Sequence, residues 1–494
     1  MKNMRKIASV LLALVMVFAL AAPVFAADAD LSGHTYKAYQ IFAGVQNDSE
    51  TIVGLGGVQW GTGINSEDFL AALNEDASIG SVFAECTTAA DVAAAMTGWT
   101  DKSENAKAFA KIAYSYINEG EGFECENGTP LNAGYYLVVD ETVFEEGAEN
   151  TVYNLALLQL TKKGEFEIAN KTDVPEVEKK VKDINDSTGV TTDWQDSADY
   201  DIGDTVPFKL TATLASNVSD YETYKIVFCD TMSKGLTFKE ITKVTVGGRE
   251  ITTGYEVATV VNEENGTTSL TITFDNVKDQ GGTDSSKIVV EYTATLNNNA
   301  VIGSEGNPNE VYLEYSNNPN GEGEGKTPKD KVIVFTFKVI VNKVDEDGEA
   351  LAGAGFTLFK LNEATGEYVQ IGNELTGDQM TQFVWEGLDD GDYKLEETTT
   401  PANYNTIDPV KFTITAEHDV EAEDPQLTKL EAGDIFTGKV NTDDILSADI
   451  ENKYGVQLPE TGGMGTTLFY VFGAVMVLAA VILLVTKKRM ASAK

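Results

Sequence analysis

KIVVEYTATL, residues 287–296, alternates apolar and polar side chains along its whole length, the period of a strand with one face buried. The same period recurs in YKAYQIF (36–42), YYLVVDE (135–141), YKIVFCD (224–230), SLTITF (269–274) and DYKLEE (392–397), with turn residues between the runs. Period two broken by turns predicts antiparallel β structure. Residues 66–118 depart from it. They are Ala-rich and carry helical spacing in DVAAAM and AKAFAKIAYSYI, which predicts one or two helices inside the first domain. The expected fold is therefore mostly β: tandem β-sandwich domains, the first an α+β variant with a helical insertion.

At ~100–200 residues per domain, a chain of 494 residues suggests three or four domains. It carries 78 acidic against 36 basic residues, a formal charge of −42, which argues against nucleic acid or an anionic membrane surface as partner. Two His and three Cys leave little for His-based catalysis, a zinc cage or a dense disulfide framework. A 42% apolar content is enough to bury several cores.

Both ends read as processing signals. Lys2, Arg5 and Lys6 precede an apolar run, and Val24-Phe25-Ala26 offers a cleavage site after Ala26, the pattern of a secretory signal. Near the other end, Leu458, Pro459, Glu460, Thr461 and Gly462 spell LPETG. They are followed by Thr467 to Val485 without a charge, then Lys487-Lys488-Arg489. The uncharged stretch is long enough to cross a bilayer, and the basic tail stays cytoplasmic. This order resembles the sortase sorting signal of Gram-positive surface proteins. That resemblance implies cleavage between Thr461 and Gly462, transfer of the Thr461 carboxyl to an amine, and a secreted, wall-anchored product. The removed pieces hold seven basic residues and no acid, so the formal charge falls from −42 to −49.

Breaks in pattern at KTDVPEVEKK (171–180) and NNPNGEGEGKTPKDK (317–331) divide the chain. The expected parts are a signal peptide (1–26), an N-terminal α+β domain (27–170), a middle sandwich (171–336), a C-terminal sandwich (337–456) and a sorting segment (457–494).

Polar residues stand in core phase on several strands. In the third domain Val339, Val341 and Lys343 share a face, Glu397 follows Tyr393 and Leu395, and Asn452 follows Ile450. A lysine on a core face must be paired or neutral. Here VNKVDEDGEALAGAGFTLFK (341–360), GLDDGDYKLEETTTPANY (387–404) and DIENKYGVQLPETGG (449–463) resemble a collagen-adhesin B-type, immunoglobulin-like domain of a sortase-assembled pilin. The resemblance implies an intramolecular isopeptide bond between Lys343 and Asn452, with Glu397 as the catalytic acid. The alternative is an ordinary buried Lys–Glu ion pair bonded to an Asn.

The second domain offers a parallel set. Lys179 alternates with Val177 and Val181, Asp230 with Ile226 and Phe228, and Asn309 with Val311, Leu313 and Tyr315. By the same resemblance the bond is Lys179–Asn309 with Asp230 as catalyst. Lys180 is the rival nucleophile, and Asn307 and Asn317 are also in phase. In the first domain Lys37, Asp140, Glu141, Asn150 and Asn154 lie in strand-like runs, and no bond is proposed among them.

In major pilins of this kind, the amine that receives the sorted carboxyl is a lysine at the end of the first domain. IANKTDVPEVEK (168–179) puts Lys171 there, with Ala169-Asn170 where the family carries Tyr-Pro. Phe166 and Ile168 share one face while Glu165, Glu167 and Lys171 share the other, which predicts an exposed lysine. Lys162 and Lys163 are rival acceptors.

Secretion permits a disulfide between Cys86 and Cys125, whereas Cys229 reads as unpaired. His34 and His418 are isolated in the sequence. The acidic loops DEDGE (345–349) and NGEGEG (320–325) offer oxygen ligands suited to Ca²⁺, but read as solvated turns, so no cofactor is expected. The reading is a pilus shaft subunit, structural rather than enzymatic. Its expected partners are other copies of itself, a pilus-specific and a housekeeping sortase, minor pilins and peptidoglycan. The alternatives are a wall-anchored adhesin or minor pilin that accepts no neighbour, and a secreted surface enzyme.

Overall fold

The computed structural model describes residues 33–46, 55–100, 103–161, 168–437, 445–455 and 465–491. The signal sequence, Lys162, Lys163 and the Leu458, Pro459, Glu460, Thr461 and Gly462 motif lie outside these residues.

The N-terminal body is one sheet with helices on one side. Strand Tyr36–Gln46 lies between Leu55–Trp60 and Gly134–Asp140, and Leu157–Thr161 continues the sheet beyond Gly134–Asp140. The helices fall in the Ala-rich stretch and start where the sequence supplies caps. The Thr88 hydroxyl accepts from the Asp91 amide, the Asp91 carboxylate accepts from the Thr88 amide, and Ala89–Ala95 follows. Ser103 accepts from the Ala106 amide and opens Glu104–Ser115. Phe69, Phe83 and Phe109 on these helices pack with Phe42 and Tyr135 of the sheet. Tyr36, Ala38, Cys125 and Val138 form a separate small cluster.

The middle body is a two-sheet sandwich. One sheet runs Arg249–Glu250, Leu236–Val246, Lys287–Leu296, Thr205–Thr213, Glu176–Val181. The other runs Glu256–Val261, Thr268–Phe274, Ile226–Met232, Asn307–Ser316, Asp330–Phe335, Ser197–Asp199. The alternation in 287–296 is realised directly: Ile288, Val290, Tyr292, Ala294 and Leu296 are all buried. Each large aliphatic so buried contributes about 1.5–3 kcal/mol, which fixes the strand's facing.

The C-terminal body stacks two sheets. One is Gln382–Leu388, Phe337–Val344, Leu446–Glu451, the last two parallel. The other is Glu367–Thr376, Gly355–Asn362, Gly391–Thr399, Val410–His418, Leu427–Glu431. Strand Asp330–Phe335 is shared between two cores. Val332 and Val334 enter the middle core, while Ile333 and Phe335 enter the C-terminal one. One strand with both faces buried thus couples the two sandwiches. After them, helix Gly465–Ala491 holds an apolar span, Phe469–Lys488, long enough to cross a membrane.

Candidate functional site

In the C-terminal sandwich, Lys343 lies on Phe337–Val344, Asn452 directly follows the neighbouring parallel strand Leu446–Glu451, and Glu397 comes from the opposite sheet. Lys343 and Asn452 are fully buried and Glu397 nearly so. The Lys343 ammonium donates to the Ile450 carbonyl at 2.5 Å and to that of Val344 at 3.1 Å. Asn452 Nδ2 donates to Glu397 Oε1 at 2.8 Å, and the Ile407 amide donates to Glu397 Oε2 at 3.0 Å. Asn452 Oδ1 is buried without a hydrogen-bond partner. Burial lowers the Lys343 pKa from 10.5 to about 8, against the opposing pull of the Glu397 charge. Burial also raises the Glu397 carboxyl above its ordinary range. At neutral pH the lysine is thus far closer to a free amine than an exposed one.

The middle sandwich repeats the combination with a different layout. Lys179 sits on Glu176–Val181 in one sheet and reaches across the core to Asp230 on Ile226–Met232 in the other, the sheet that also carries Asn309 on Asn307–Ser316. All three are buried. The Lys179 ammonium bonds Asp230 Oδ2 and donates to the Tyr292 hydroxyl at 3.0 Å. That hydroxyl donates to Asp230 Oδ2 at 2.9 Å and accepts from Asn309 Nδ2 at 2.8 Å. Asp230 Oδ1 and Asn309 Oδ1 are buried without partners. Rings of Phe208 and Tyr292 lie 5.5 and 5.3 Å from the ammonium. Burial pushes the Lys179 pKa down and the Asp230 pKa up, each against the charge of the other.

The rival residues left by the sequence point elsewhere. Lys180 faces outward and pairs with Asp196 at 2.6 Å. Asn307 is consumed by backbone, accepting from the Val301 amide at 2.8 Å and donating to the carbonyls of Val301 and Val334. Asn317 donates to Thr151 of the N-terminal body at 3.2 Å. Asn309 is the one that meets Lys179's partners. Tyr292 is a site residue that the sequence reading passed over. Its only signal is a hydroxyl carried in core phase, which must find a partner.

Residues 168–175 contain no strand, so the expected outer-face exposure of Lys171 is corrected. Lys171 is half-buried and lines a groove between helix Glu104–Ser115 and the 218–222 turn. Its backbone is held from both bodies. Its amide donates to Asn154 Oδ1 at 3.0 Å, and its carbonyl accepts from Asn217 Nδ2 at 3.2 Å. Asn154 in turn donates to the Ala169 carbonyl and takes its own place from Asp140, whose carboxylate accepts the Asn154 amide at 2.8 Å. Ion pairs Lys107–Asp220 at 2.8 Å and Lys111–Glu222 bridge the groove.

The disulfide that secretion permits between Cys86 and Cys125 is not formed: both thiols are free. Cys86 packs with the helical core and Cys125 in the separate small cluster, so the sheet divides them. Lys37 pairs with Glu141 at 2.7 Å near the surface, away from any asparagine bond. The histidines are not isolated. His34 bonds Asp140 at 2.7 Å, and His418 bonds Ser197 at 2.7 Å and lies 3.6 Å from Asp199. In the 345–349 loop, Asp345 Oδ1 accepts the amides of Asp347 and Glu349, closing its own turn.

The described chain thus carries two sandwiches, each with a buried Lys–acid–Asn set, followed by a helix long enough to cross a membrane. The comparisons narrow this. Residues 202–319 match the Gram-positive pilin backbone subunit 2, Cna-B-like domain, residues 337–426 the prealbumin-like fold domain, and residues 450–492 the LPXTG cell wall anchor motif. The trypsin-resistant surface T6 protein of Streptococcus pyogenes serotype M6 is 24% identical over 395 residues, 65% of this chain and 70% of that one. The solved T6 backbone pilin of serotype M6 Streptococcus pyogenes, a modular three-domain structure, is 17% identical with a TM-score of 0.52, covering 86% of this chain and 97% of that one, and shares its fold. The chain is thus similar to Gram-positive backbone pilins over its middle domain, and its C-terminal part matches the motif that anchors proteins to the cell wall.

Proposed function

We propose that this chain is the shaft subunit of a covalent pilus. A sortase breaks the Thr461–Gly462 peptide bond and joins the Thr461 carboxyl to the Lys171 amine of the next copy. A second, housekeeping sortase attaches the finished fibre to peptidoglycan, and minor pilins join the same polymer. Each sandwich is closed by an isopeptide bond, Lys179–Asn309 and Lys343–Asn452.

The observation that carries this reading is the Lys179, Asp230, Asn309 cluster around the Tyr292 hydroxyl. A neutral Lys179 amine attacks the Asn309 amide carbon, the new C–Nζ bond forms, the C–Nδ2 bond breaks, and ammonia leaves with the amine's proton. A protonated Asp230 Oδ1 would donate to Asn309 Oδ1, giving partners to two atoms that otherwise have none and polarising the carbonyl under attack. In the C-terminal sandwich, turning the Asn452 amide end for end sets its unpartnered Oδ1 against Glu397, ready for the same proton. The bonds close loops from residue 179 to 309 and from 343 to 452. By analogy with disulfides, each restricts the unfolded chain by about 4–5 kcal/mol. Load entering at Lys171 and leaving at Thr461 then crosses a covalent tie in each sandwich.

The test is Lys171→Ala in cells that hold the cognate sortase. Loss of the high-mass ladder supports Lys171 as acceptor. A persisting ladder excludes it and returns the role to Lys162 or Lys163.

A further inference from the structure

We infer that the carboxylates of Asp199, Asp389 and Asp390, at the junction of the middle and C-terminal sandwiches, form a site for one hard divalent cation of the Ca²⁺ class. Each offers an oxygen, and these oxygens lie within 4.8 Å of one another. They come from both sandwiches. Asp199 ends strand Ser197–Asp199, which pairs with Phe335 of the shared strand. Asp389 and Asp390 form the turn between Gln382–Leu388 and Gly391–Thr399.

Backbone holds the three in place before any ligand arrives. The Asp389 amide donates to Asp201 Oδ1 at 2.8 Å, and the Asp390 amide donates to Asp199 Oδ2 at 3.3 Å. Gly387 seats the turn against the middle sandwich: its φ is +76°, and a Cβ there would meet Ile202 Cδ1 at 2.4 Å.

An acidic cluster alone would not make a site, and a second feature points to a ligand. Asp389 is fully buried, and its Oδ1 has no hydrogen-bond partner. Its Oδ2 takes the Lys360 ammonium at 3.1 Å. Lys360 is shared, because it also pairs with Asp201 at 2.6 Å and Asp186 at 3.7 Å. The other cation at hand, His418, is engaged by Asp183 and Asp199 at 3.7 and 3.6 Å. Two positive side chains thus face seven aspartates once Asp204 is counted beside Asp201. Burial first, and neighbouring carboxylates after it, push Asp199 up to about 7 and Asp389 well above the carboxylate range. All-oxygen donors with little imposed geometry suit Ca²⁺. A bound cation would bridge two domains of a load-bearing chain, and it does so whether or not the isopeptide bonds form.

The test is equilibrium dialysis of chelator-stripped full chain, solubilised in mild detergent, against radiolabelled Ca²⁺. The expected result is one saturable site per chain, weakened about tenfold or more in Asp389→Asn and in Asp390→Asn, and unchanged in the loop variant Asp345→Asn. Asp390 is only partly buried, so its variant keeps the test open if Asp389→Asn misfolds by circular dichroism. Absence of saturable uptake at millimolar Ca²⁺ would overturn the site and leave a proton shared between Asp389 and Asp390 as the neutralising charge. Uptake lost in Asp345→Asn but kept in Asp390→Asn would overturn it equally.

Discussion

Lys179 and Asn309 hydrogen-bond to one and the same atom, the Tyr292 hydroxyl oxygen, at 3.0 and 2.8 Å. The two residues lie on different sheets, so this hydroxyl is what holds amine and amide side by side in the core. Tyr292→Phe is expected to slow formation of the Lys179–Asn309 bond about tenfold, the worth of one buried hydrogen bond, without abolishing it. Intact mass followed over time after expression measures this. Bond formation at the wild-type rate would show that Tyr292 merely fills space.

Asp230→Asn and Glu397→Gln keep the shape of each site and remove its acid. Each variant is expected to retain one ammonia relative to the wild type, at the sandwich it alters and not at the other. Loss of a tie lowers unfolding free energy by about 4–5 kcal/mol, read in guanidinium melts. An Asp230→Asn chain with both bonds complete would dispose of the general-acid role.

The Lys343 environment predicts a pH dependence whose sign is fixed. In Asn452→Ala no bond forms and Lys343 stays an amine. Its folded pKa, about 8, lies below the unfolded 10.5, so the unfolded chain binds more protons between these values. Stability of this variant should therefore rise as pH is raised from about 8 towards 10.5, and fall back as pH returns. The wild type is expected to lack this increment, because the proposed bond would consume Lys343 in an amide. Denaturant midpoints across that pH range test it, and equal slopes in both proteins would contradict it.

Cys86, Cys125 and Cys229 are free and at least partly buried, and burial raises all three thiol pKa values. Maleimide labelling of native protein should be slow, and labelling in guanidinium without reductant should reach three thiols per chain. A count of one would restore the Cys86–Cys125 disulfide.

Much of this was legible in the sequence because a period of two states which side chains face a core. Lys179, Asp230, Asn309, Lys343, Glu397 and Asn452 are conspicuous as polar residues in apolar phase. What the period does not give is direction across the sandwich. Asn307, Asn309 and Asn317 share a phase, and only the pairing of Asn307–Ser316 with its neighbours sends Asn309 to the Tyr292 hydroxyl and leaves Asn307 to the Val301 loop. Tyr292 was hidden for the opposite reason, since an aromatic in apolar phase looks like ordinary core. The Cys86–Cys125 separation and the meeting of Asp199 with Asp389 depend on how whole bodies stack, and no local pattern encodes either.

Mass spectrometry of tryptic peptides from purified pili tests the covalent architecture most directly. The expected spectrum contains the peptides of Lys179 and Asn309, and those of Lys343 and Asn452, joined and each lighter by one ammonia. It also contains the peptide ending at Thr461 joined to that of Lys171 and lighter by one water. Recovery of these peptides unlinked, at their full separate masses, would contradict it.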